Sequence, residues 1–290
     1  MKSKGIAAVF VLVAVAVASA ADEFFRDFRT GDFDDASFRM AGPEAGRFVE
    51  PGPDGLRIKF LDGENHEPTG ISLRFAVKGD FEITTAYDIQ ALEPPATGYG
   101  VGAGLYVETD SPTKEGITLE RFVLPAVGEV FASTRASMKD GARTYASRRF
   151  PARATRSGQL RLSRRGSRIT ASVAEGSGAA FRKLRTVEVA PDDLSYVRLA
   201  GDTGGATSRL DARFKELRIK TDGLSAEPPD DPPTEQAKVG DPPPATKIAG
   251  PPAAEDPPEP PPTRPGSWVV LAVGLAAIIA VGLIAYFRRR

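Results

Sequence analysis

The side chains that most often carry catalysis are scarce in this chain. His66 is the single histidine among 290 residues, and cysteine is absent. Metal sites built from several histidines or from thiolates are therefore excluded, as are disulfide bridges. A serine–histidine triad would have to use His66, which we expect to lie in a solvated loop. The composition predicts no cofactor and no metal, and it favours a protein that is not an enzyme.

Two acidic loops could offer oxygen ligands to calcium, but neither completes a known loop pattern. One contains Asp32, Asp34 and Asp35, and the other contains Asp62, Glu64 and Asn65. A calcium loop needs a longer alternating series with a trailing glutamate. Because Asp and Asn also stabilise turns through their own backbone, turn formation is the favoured interpretation of both loops.

A stripe of glycine is the most unusual candidate for a binding surface. Gly98, Gly100, Gly102 and Gly104 occupy alternate positions before Tyr106. Alternate residues of a strand share one face, so this face would lack side chains for roughly 20 Å. The stripe could be the floor of a ligand groove. The favoured alternative is that neighbouring side chains cross it or that it permits strong sheet curvature. The candidate groove consists of Gly100, Gly102, Gly104, Tyr106, Thr84 and Asp88.

Charge is distributed unevenly along the chain. Residues 135–185 contain fourteen Lys or Arg and two acids, whereas residues 21–134 contain ten bases and twenty-one acids. Pairing across neighbouring strands is the favoured explanation. The alternative is a basic patch that binds acidic glycans or an anionic envelope surface. Nucleic acid is not expected as a partner, because no aromatic residues interleave the arginines. The candidate patch consists of Arg148, Arg149, Arg161, Arg164, Arg165 and Arg168.

Alternating apolar residues predict that β-strands position these side chains. The pattern is clear in Leu56–Ile58–Phe60, and it recurs along most of residues 56–219. Turn sequences such as Lys78–Gly79–Asp80 and Lys139–Asp140–Gly141 separate the runs. About a dozen short strands without an amphipathic helix predict an all-β, antiparallel β-sandwich. By the same alternation, Tyr87 and Tyr99 are expected to point into the core.

Several segments resemble a known fold. Residues 160–176 (LRLSRRGSRITASVAEG), 181–184 (FRKL), 196–205 (YVRLAGDTGG) and 210–219 (LDARFKELRI) resemble the closing half of a concanavalin A-like lectin/glucanase jelly roll. Residues 79–89 and 98–110 resemble its central strands. Together with residues 25–43, they are similar to a family of exported bacterial proteins known as domain of unknown function 1583. The resemblance implies a jelly roll for residues 21–224 and supplies no catalytic residue.

The glucanases of that superfamily provide a test of enzymatic function. Their retaining members resemble one another in a Glu-x-Asp-x-Glu strand, which places carboxylates about 5 Å apart on one face. No such strand occurs here, since Glu82 is followed by Thr84 and Ala86. Glycoside hydrolysis would require an unfamiliar carboxylate pair assembled from different strands.

Both ends of the chain predict export and membrane attachment. Residues 1–20 have the basic start, short apolar run and small residues of a signal peptide, with cleavage expected after Ala20. An uncleaved anchor is the less favoured alternative. Residues 267–287 contain a twenty-residue uncharged run long enough for a transmembrane helix, and the arginines at 288–290 predict a cytoplasmic tail. A sorting signal removed by an exosortase-type transpeptidase is the alternative for this end.

The segment between domain and membrane is predicted to be a stalk. Residues 225–266 hold fifteen of the twenty-five prolines and almost no large apolar side chain. Such a composition favours a disordered, polyproline-like linker.

The sequence therefore predicts a single-pass protein of a bacterial cell membrane with an extracytoplasmic domain. The favoured function is non-catalytic binding of envelope or extracellular polysaccharide. A structural or protein-interaction module without a sugar site is the alternative, and a glycan-active enzyme is third.

Overall fold

The computed structural model describes residues 21–61 and 63–225. Within them, strands dominate and all pairings are antiparallel, which confirms the predicted all-β class. A 3₁₀-helix spans Phe28–Thr30, and α1 spans Ala45–Phe48. The strands are β1 (Asp22–Asp27), β2 (Phe38–Ala41), β3 (Val49–Gly52), β4 (Gly55–Phe60), β5 (Thr69–Leu73), β6 (Ala76–Leu92), β7 (Val101–Thr109), β8 (Gly116–Leu124), β9 (Gly128–Lys139), β10 (Ala142–Pro151), β11 (Ser157–Arg165), β12 (Arg168–Glu175), β13 (Arg182–Glu188), β14 (Leu194–Asp202) and β15 (Leu210–Ser225).

The strand pairings divide the fold into two layers. The front sheet has the order β2-β5-β14-β7-β8-β9-β10. The back sheet has the order β13-β12-β11-β6-β15, and β1 and β4 pair with successive parts of β15 beyond it, with β3 next to β4. In the described residues, one pair, Leu194 with Val77, joins the two layers.

The alternation of apolar residues explains the core. Leu105 and Val107 of the front sheet and Ile83 and Leu160 of the back sheet are buried in one cluster between the layers. Alternate side chains of a strand point to opposite faces, so the intervening residues form the two outer faces of the sandwich. The outer faces therefore hold the side chains that are available for binding.

Two predicted turns differ in outcome. The turn at Asp140 and Gly141 joins β9 to β10, with both residues at positive φ as a tight hairpin requires. The turn predicted at Lys78–Gly79–Asp80 is instead an irregular stretch inside β6. Carboxylates of Asp193 and Asp222 accept hydrogen bonds from the backbone N–H groups of Gly79 and Asp80, so the strand continues past a glycine at positive φ.

The predicted signal peptide, linker, transmembrane helix and cytoplasmic tail lie outside the described residues, apart from Ser225 at the end of β15. Within residues 21–61 and 63–225, no helix is both long enough and apolar enough to cross a membrane.

Candidate functional site

The outer face of the front sheet brings together polar side chains from several strands around β7. Gly104 of β7 lies between Ala200 of β14 and Glu120 of β8, and Ala132 of β9 follows Glu120 in the same row. Arg149 of β10 ends that row. Small residues on both sides leave Glu120 as the one carboxylate in the middle of this row.

The glycine stripe is not a bare floor along β7. Gly98 and Gly100 precede the strand, and both have positive φ. A Cβ on Gly100 would lie 2.5 Å from the Phe122 ring, and one on Gly102 would lie 2.0 Å from the backbone oxygen of Arg121. Side chains of β8 therefore cross the stripe, and the glycines allow β8 to approach β7 closely. This matches the alternative in which neighbouring side chains lie across the stripe.

Thr84 and Asp88 do not join the glycines, contrary to the candidate groove. Both lie on β6 and face outward from the back sheet, because Phe81, Ile83 and Tyr87 of that strand point into the core. Thr84 accepts a hydrogen bond from Arg161, and Asp88 pairs with Lys215 at 3.2 Å. The six residues of the candidate groove therefore belong to opposite outer faces of the sandwich.

Tyr106 is part of a charged network at one end of the face. Its hydroxyl donates to Glu108 and accepts from Arg143, and Arg143 also donates to Glu108 at 2.6 Å. Burial raises the pKa of Tyr106 well above its usual value. Glu108 and Arg143 thus hold the protonated hydroxyl of Tyr106 in place. The Tyr106 ring packs against Tyr196, with 5.8 Å between the ring centroids.

Tyr99 lies on this outer face and not in the core, which corrects the prediction. The strand alternation fails before β7 because Gly98 and Gly100 adopt positive φ. The side chain of Tyr99 is 45% exposed, and its hydroxyl donates to Asp202 with an oxygen–oxygen distance of 2.6 Å. The Asp202 carboxylate also accepts from the backbone N–H of Gly204 at 2.6 Å. Asp202 is thus held firmly beside an exposed aromatic ring.

Glu120 and Asp202 form a carboxylate pair that the sequence did not reveal. They lie on either side of β7, with Glu120 opposite Gly104 and Asp202 opposite Gly102. Burial raises the pKa of Glu120 to about 8, and the Asp202 charge adds to the effect. Burial likewise raises the pKa of Asp202 to about 6, against the hydrogen bonds from Tyr99 and Gly204. The positive charge of Arg198 acts in the opposite direction and lowers the pKa of both carboxyl groups. At neutral pH, Glu120 is therefore mostly protonated and Asp202 mostly ionised.

The stability of the fold should depend on the ionisation of Glu120. Burial raises the pKa of Glu120 above the ordinary value of 4.5, so the folded state holds the proton more tightly than the unfolded chain does. We expect the free energy of unfolding to fall as pH rises from 4.5 to about 8. Urea denaturation followed by circular dichroism measures this slope. Glu120→Gln should flatten the pH dependence of the free energy of unfolding at pH values above the pKa of Asp202. Glu44→Gln, at an exposed site, should leave that dependence unchanged. An unchanged slope in Glu120→Gln would contradict the assignment.

The six arginines of the candidate basic patch do not form one surface. Arg149 shares the outer face of the front sheet, whereas Arg148, its neighbour on β10, points to the other side. Arg161 of the back sheet pairs with Glu82 at 3.2 Å and stacks on Phe181. Arg165 and Arg168 are exposed near the β11–β12 turn.

Arg164 is buried and is unavailable to a surface patch. It continues the inward alternation of Leu160 and Leu162 on β11. Its guanidinium donates to backbone oxygens of Gly79 and Asp192. Side chains from the two halves of the sequence also pair acid with base, as predicted from the uneven charge. Examples are Arg135–Glu115, Arg143–Glu108, Arg156–Glu129, Arg161–Glu82 and Arg165–Asp80.

His66 and the first acidic loop have structural surroundings. The His66 ring stacks on Phe60 at 4.6 Å between centroids and also contacts Phe48. The sequence predicts a solvated loop residue, and this packing corrects that prediction. The Asp34 carboxylate accepts hydrogen bonds from the backbone N–H groups of Ala36 and Ser37, which is the turn-forming role favoured by the sequence. Asp62 of the second loop lies outside the described residues.

The fold and the site together define an all-β antiparallel sandwich domain with paired acids and an exposed tyrosine on one outer face. The chain belongs to the family described as "Protein of unknown function (DUF1583) C domain", which matches residues 10–239. The family resemblance of the sequence is thereby confirmed. No curated protein matches the chain.

Solved structures with similarity to the chain include glycoside hydrolases. A mutant of the GH43 protein BlXynB from Bacillus licheniformis has a TM-score of 0.48 and 11% identity over 68% of this chain and 39% of that one. This chain thus spans about two-fifths of that protein's length. A Bacteroides ovatus mixed linkage glucan GH16 protein has a TM-score of 0.46 and 12% identity over 68% of this chain and 99% of that one. A Bacillus licheniformis beta-glucanase has a TM-score of 0.46 and 12% identity over 69% and 97%.

Proposed function

We propose that the domain binds polysaccharide on the outer face of its front sheet, around Tyr99, Asp202 and Glu120. In this proposal the protein is exported and anchored by residues 267–287 in a bacterial cell membrane, with the domain on the outside. The polysaccharide belongs to the cell envelope or the extracellular matrix. Binding without catalysis is the primary function, as the sequence favours.

The exposed ring of Tyr99 beside a carboxylate is the observation that carries the proposal. A sugar ring has an apolar C–H side that stacks on an aromatic face and hydroxyl groups at its edge that need hydrogen-bond partners. Tyr99 offers the ring, and its hydroxyl is already oriented by Asp202. The carboxyl group of Glu120 can donate a hydrogen bond in its protonated form. This group makes no hydrogen bond with another described residue. Both types of sugar contact are thus available within a few strands.

A glycan-active enzyme is the second candidate, and the Glu120–Asp202 pair favours it. Because β7 separates their strands and the two residues are offset by two positions along it, their backbones are roughly 12 Å apart. Side chains that lean toward each other across β7 would then have the wide carboxylate spacing of inverting glycosidases. Protonated Glu120 would transfer its proton to the glycosidic oxygen as the bond from the anomeric carbon to that oxygen breaks. Asp202 would take a proton from the water whose oxygen bonds to the anomeric carbon. One water is consumed per bond, and no cofactor is needed.

One experiment separates these functions. Full-length protein is applied to an array of bacterial and plant polysaccharides, and bound polysaccharides are then incubated with it and analysed for new reducing ends. We expect binding that Tyr99→Ala weakens by about tenfold, because a stacked aromatic ring contributes on the order of 1 kcal/mol. Phe25→Ala is the matched control, since Phe25 is equally exposed but lies on the back sheet.

The outcomes point to different functions. Binding without reducing ends supports the primary proposal. Formation of new reducing ends at a rate that falls by roughly 100-fold in Glu120→Gln would favour the enzyme. If no polysaccharide on the array is bound and crosslinking in membranes recovers a partner protein, the function is that of a structural or protein-interaction module.

A further inference from the structure

Three arginines from the two sheets meet at the open side of the sandwich, between the edge strands β10 and β13. Arg185 of β13 donates from Nη1 to the backbone oxygen of Ser133 on β9, at 2.9 Å, and to that of Ala146 on β10, at 3.3 Å. In the register of β9 and β10, Arg148 is opposite Ser133, and Arg135 is opposite Ala146. Arg148 and Arg135 therefore flank the two carbonyl groups that hold Arg185.

The strand alternation places all of these side chains on the inner side of the front sheet. Phe131 of β9 is buried in the core, and residues 133 and 135 follow it at alternate positions, so they share its face. Across the ladder, Arg148 is two residues from Phe150, which packs against the same core. The cluster thus lies where the core ends and the space between the sheets opens to solvent. We call Arg135, Arg148 and Arg185 the edge arginine cluster.

The edge arginine cluster carries more positive charge than its neighbours offset. Arg135 pairs with Glu115 at 2.9 Å. Arg185 donates only to neutral backbone oxygens, and Arg148 forms no ion pair with another residue of the described ranges. Burial lowers the pKa of Arg185 most, and the positive charges of Arg148 and Arg135 add to the decrease. Two guanidinium groups are therefore left for an external anion to stabilise.

Unused hydrogen-bond donors accompany this charge. Ser133 is 0% exposed, and its hydroxyl has no partner among the described residues. It shares the inner face with Arg148, directly across the ladder. The Nε atom of Arg135 is also buried without a partner in the described part of the chain. Buried polar groups are almost always hydrogen-bonded, so these donors indicate that an acceptor from outside the chain completes the cluster.

The strand β10 connects the cluster to the outer face that we propose for polysaccharide. Arg149, next to Arg148, ends the outer-face row that contains Glu120 and Ala132. Arg149 likewise forms no ion pair or hydrogen bond within the described residues. Residues 144–149 are exposed on both sides of β10. A chain that follows this row across the front sheet therefore reaches the cluster by passing around the edge strand.

We propose that the polysaccharide is acidic and that the edge arginine cluster, together with Arg149, binds its carboxylate or sulfate groups; this assignment rests on the proposed function and names the class of its ligand. A guanidinium presents parallel N–H donors that match two oxygens of such a group, and these charge-assisted hydrogen bonds are strong. Arg148 and Arg149 point to opposite sides of β10. They suit successive anionic groups along one chain better than a single small anion.

Charged and uncharged forms of the same polysaccharide test this inference on the full-length protein. Isothermal titration calorimetry measures the affinity for polygalacturonate and for its methyl ester, and dextran sulfate and dextran repeat the comparison for sulfate. We expect at least one charged form to bind about tenfold more tightly than its neutral counterpart, with an affinity that falls as sodium chloride is added. The form that shows this preference identifies the anionic group.

Arg148→Gln is the main variant, because Arg148 is exposed and its replacement should not affect folding. It should weaken binding of the charged form by about tenfold and leave binding of the neutral form unchanged. Arg168→Gln is the matched control, since it removes the same charge from an exposed position at the β11–β12 turn and should bind as the wild type does.

Several results would overturn the inference. Equal affinities for charged and neutral chains, with a loss of both in Tyr99→Ala, would exclude the acidic ligand and leave the proposed function in place. Undiminished binding of the charged form by Arg148→Gln would show that it binds elsewhere on the protein. Binding to vesicles of anionic lipid that depends on Arg148, without binding of any charged polysaccharide, would assign the cluster to a membrane surface. Absence of binding to every polysaccharide would remove the proposed function as well.

Discussion

Replacing Arg164 by alanine is expected to lower the free energy of unfolding by about 3 to 5 kcal/mol, as removal of one partner from a buried charged network does. Arg164 is 1% exposed, and its Nε donates to the backbone oxygen of Gly79 at 2.8 Å. Another of its nitrogens donates to the backbone oxygen of Asp192. Alanine would leave both buried oxygens without these donors.

The acids around Arg164 increase the expected loss. Burial lowers the pKa of Arg164, and the negative charges of Asp193 and Asp80 act in the opposite direction. Asp222 contributes in the same sense. Without the guanidinium, these carboxylates would repel one another at the end of the sandwich where β6, β11 and the segment before β14 meet.

Urea denaturation followed by circular dichroism measures the effect, and the next residue is the control. The side chain of Arg165 is 83% exposed and contacts Asp80 at 3.5 Å. Its replacement by alanine should change the free energy of unfolding by less than about 0.5 kcal/mol. Equal effects of the two substitutions would mean that Arg164 is a surface residue, as the candidate basic patch required.

Gly102→Ala is expected to cost about 3 kcal/mol, at the upper end of what overpacking usually costs. A Cβ at this position would lie 2.0 Å from the backbone oxygen of Arg121 and 2.5 Å from the Phe122 ring. The ring can rotate, but the backbone oxygen belongs to the β8 strand that pairs with β7. Relief of the contact would therefore separate two central strands of the front sheet.

Gly46→Ala provides the matched control for Gly102→Ala. Nothing lies within 4 Å of a Cβ on Gly46, and the residue is helical. Alanine should stabilise the protein there by up to about 1 kcal/mol, because it restricts the unfolded chain and favours the helix. The same denaturation experiment compares the two variants. A neutral Gly102→Ala would mean that the glycines serve ligand access and not the close approach of strands.

Several features of the fold could be predicted because they depend on local pattern. The alternation in Leu56, Ile58 and Phe60 and the turn at Asp140–Gly141 both appear in the structure where expected. The same alternation runs through Leu160 and Leu162 to Arg164, although the candidate basic patch places Arg164 on the surface. Its charge favours a surface position, but the backbone oxygens of Gly79 on β6 and of Asp192 before β14 accept its hydrogen bonds inside the protein.

The candidate site was less predictable because its members come from separate strands. The alternation predicts Tyr99 in the core, but Gly98 and Gly100 adopt positive φ and turn the side chain of Tyr99 to the outer face. The candidate groove groups Thr84 and Asp88 with the glycines, but the strand that carries both belongs to the other sheet. Nothing in the spacing of Glu120 and Asp202 indicates that β7 lies between their strands, so no sequence signal could have found the pair.

The sequence alone determines the all-β class, the family and the strands whose alternate residues form the core. These features can be predicted because a two-residue period and a turn are properties of short segments. Which outer face each polar residue occupies, and which acids meet there, was decided by the tertiary structure. Strand order depends on hydrogen bonds between distant segments, and a single glycine at positive φ can move a side chain from the core to the surface.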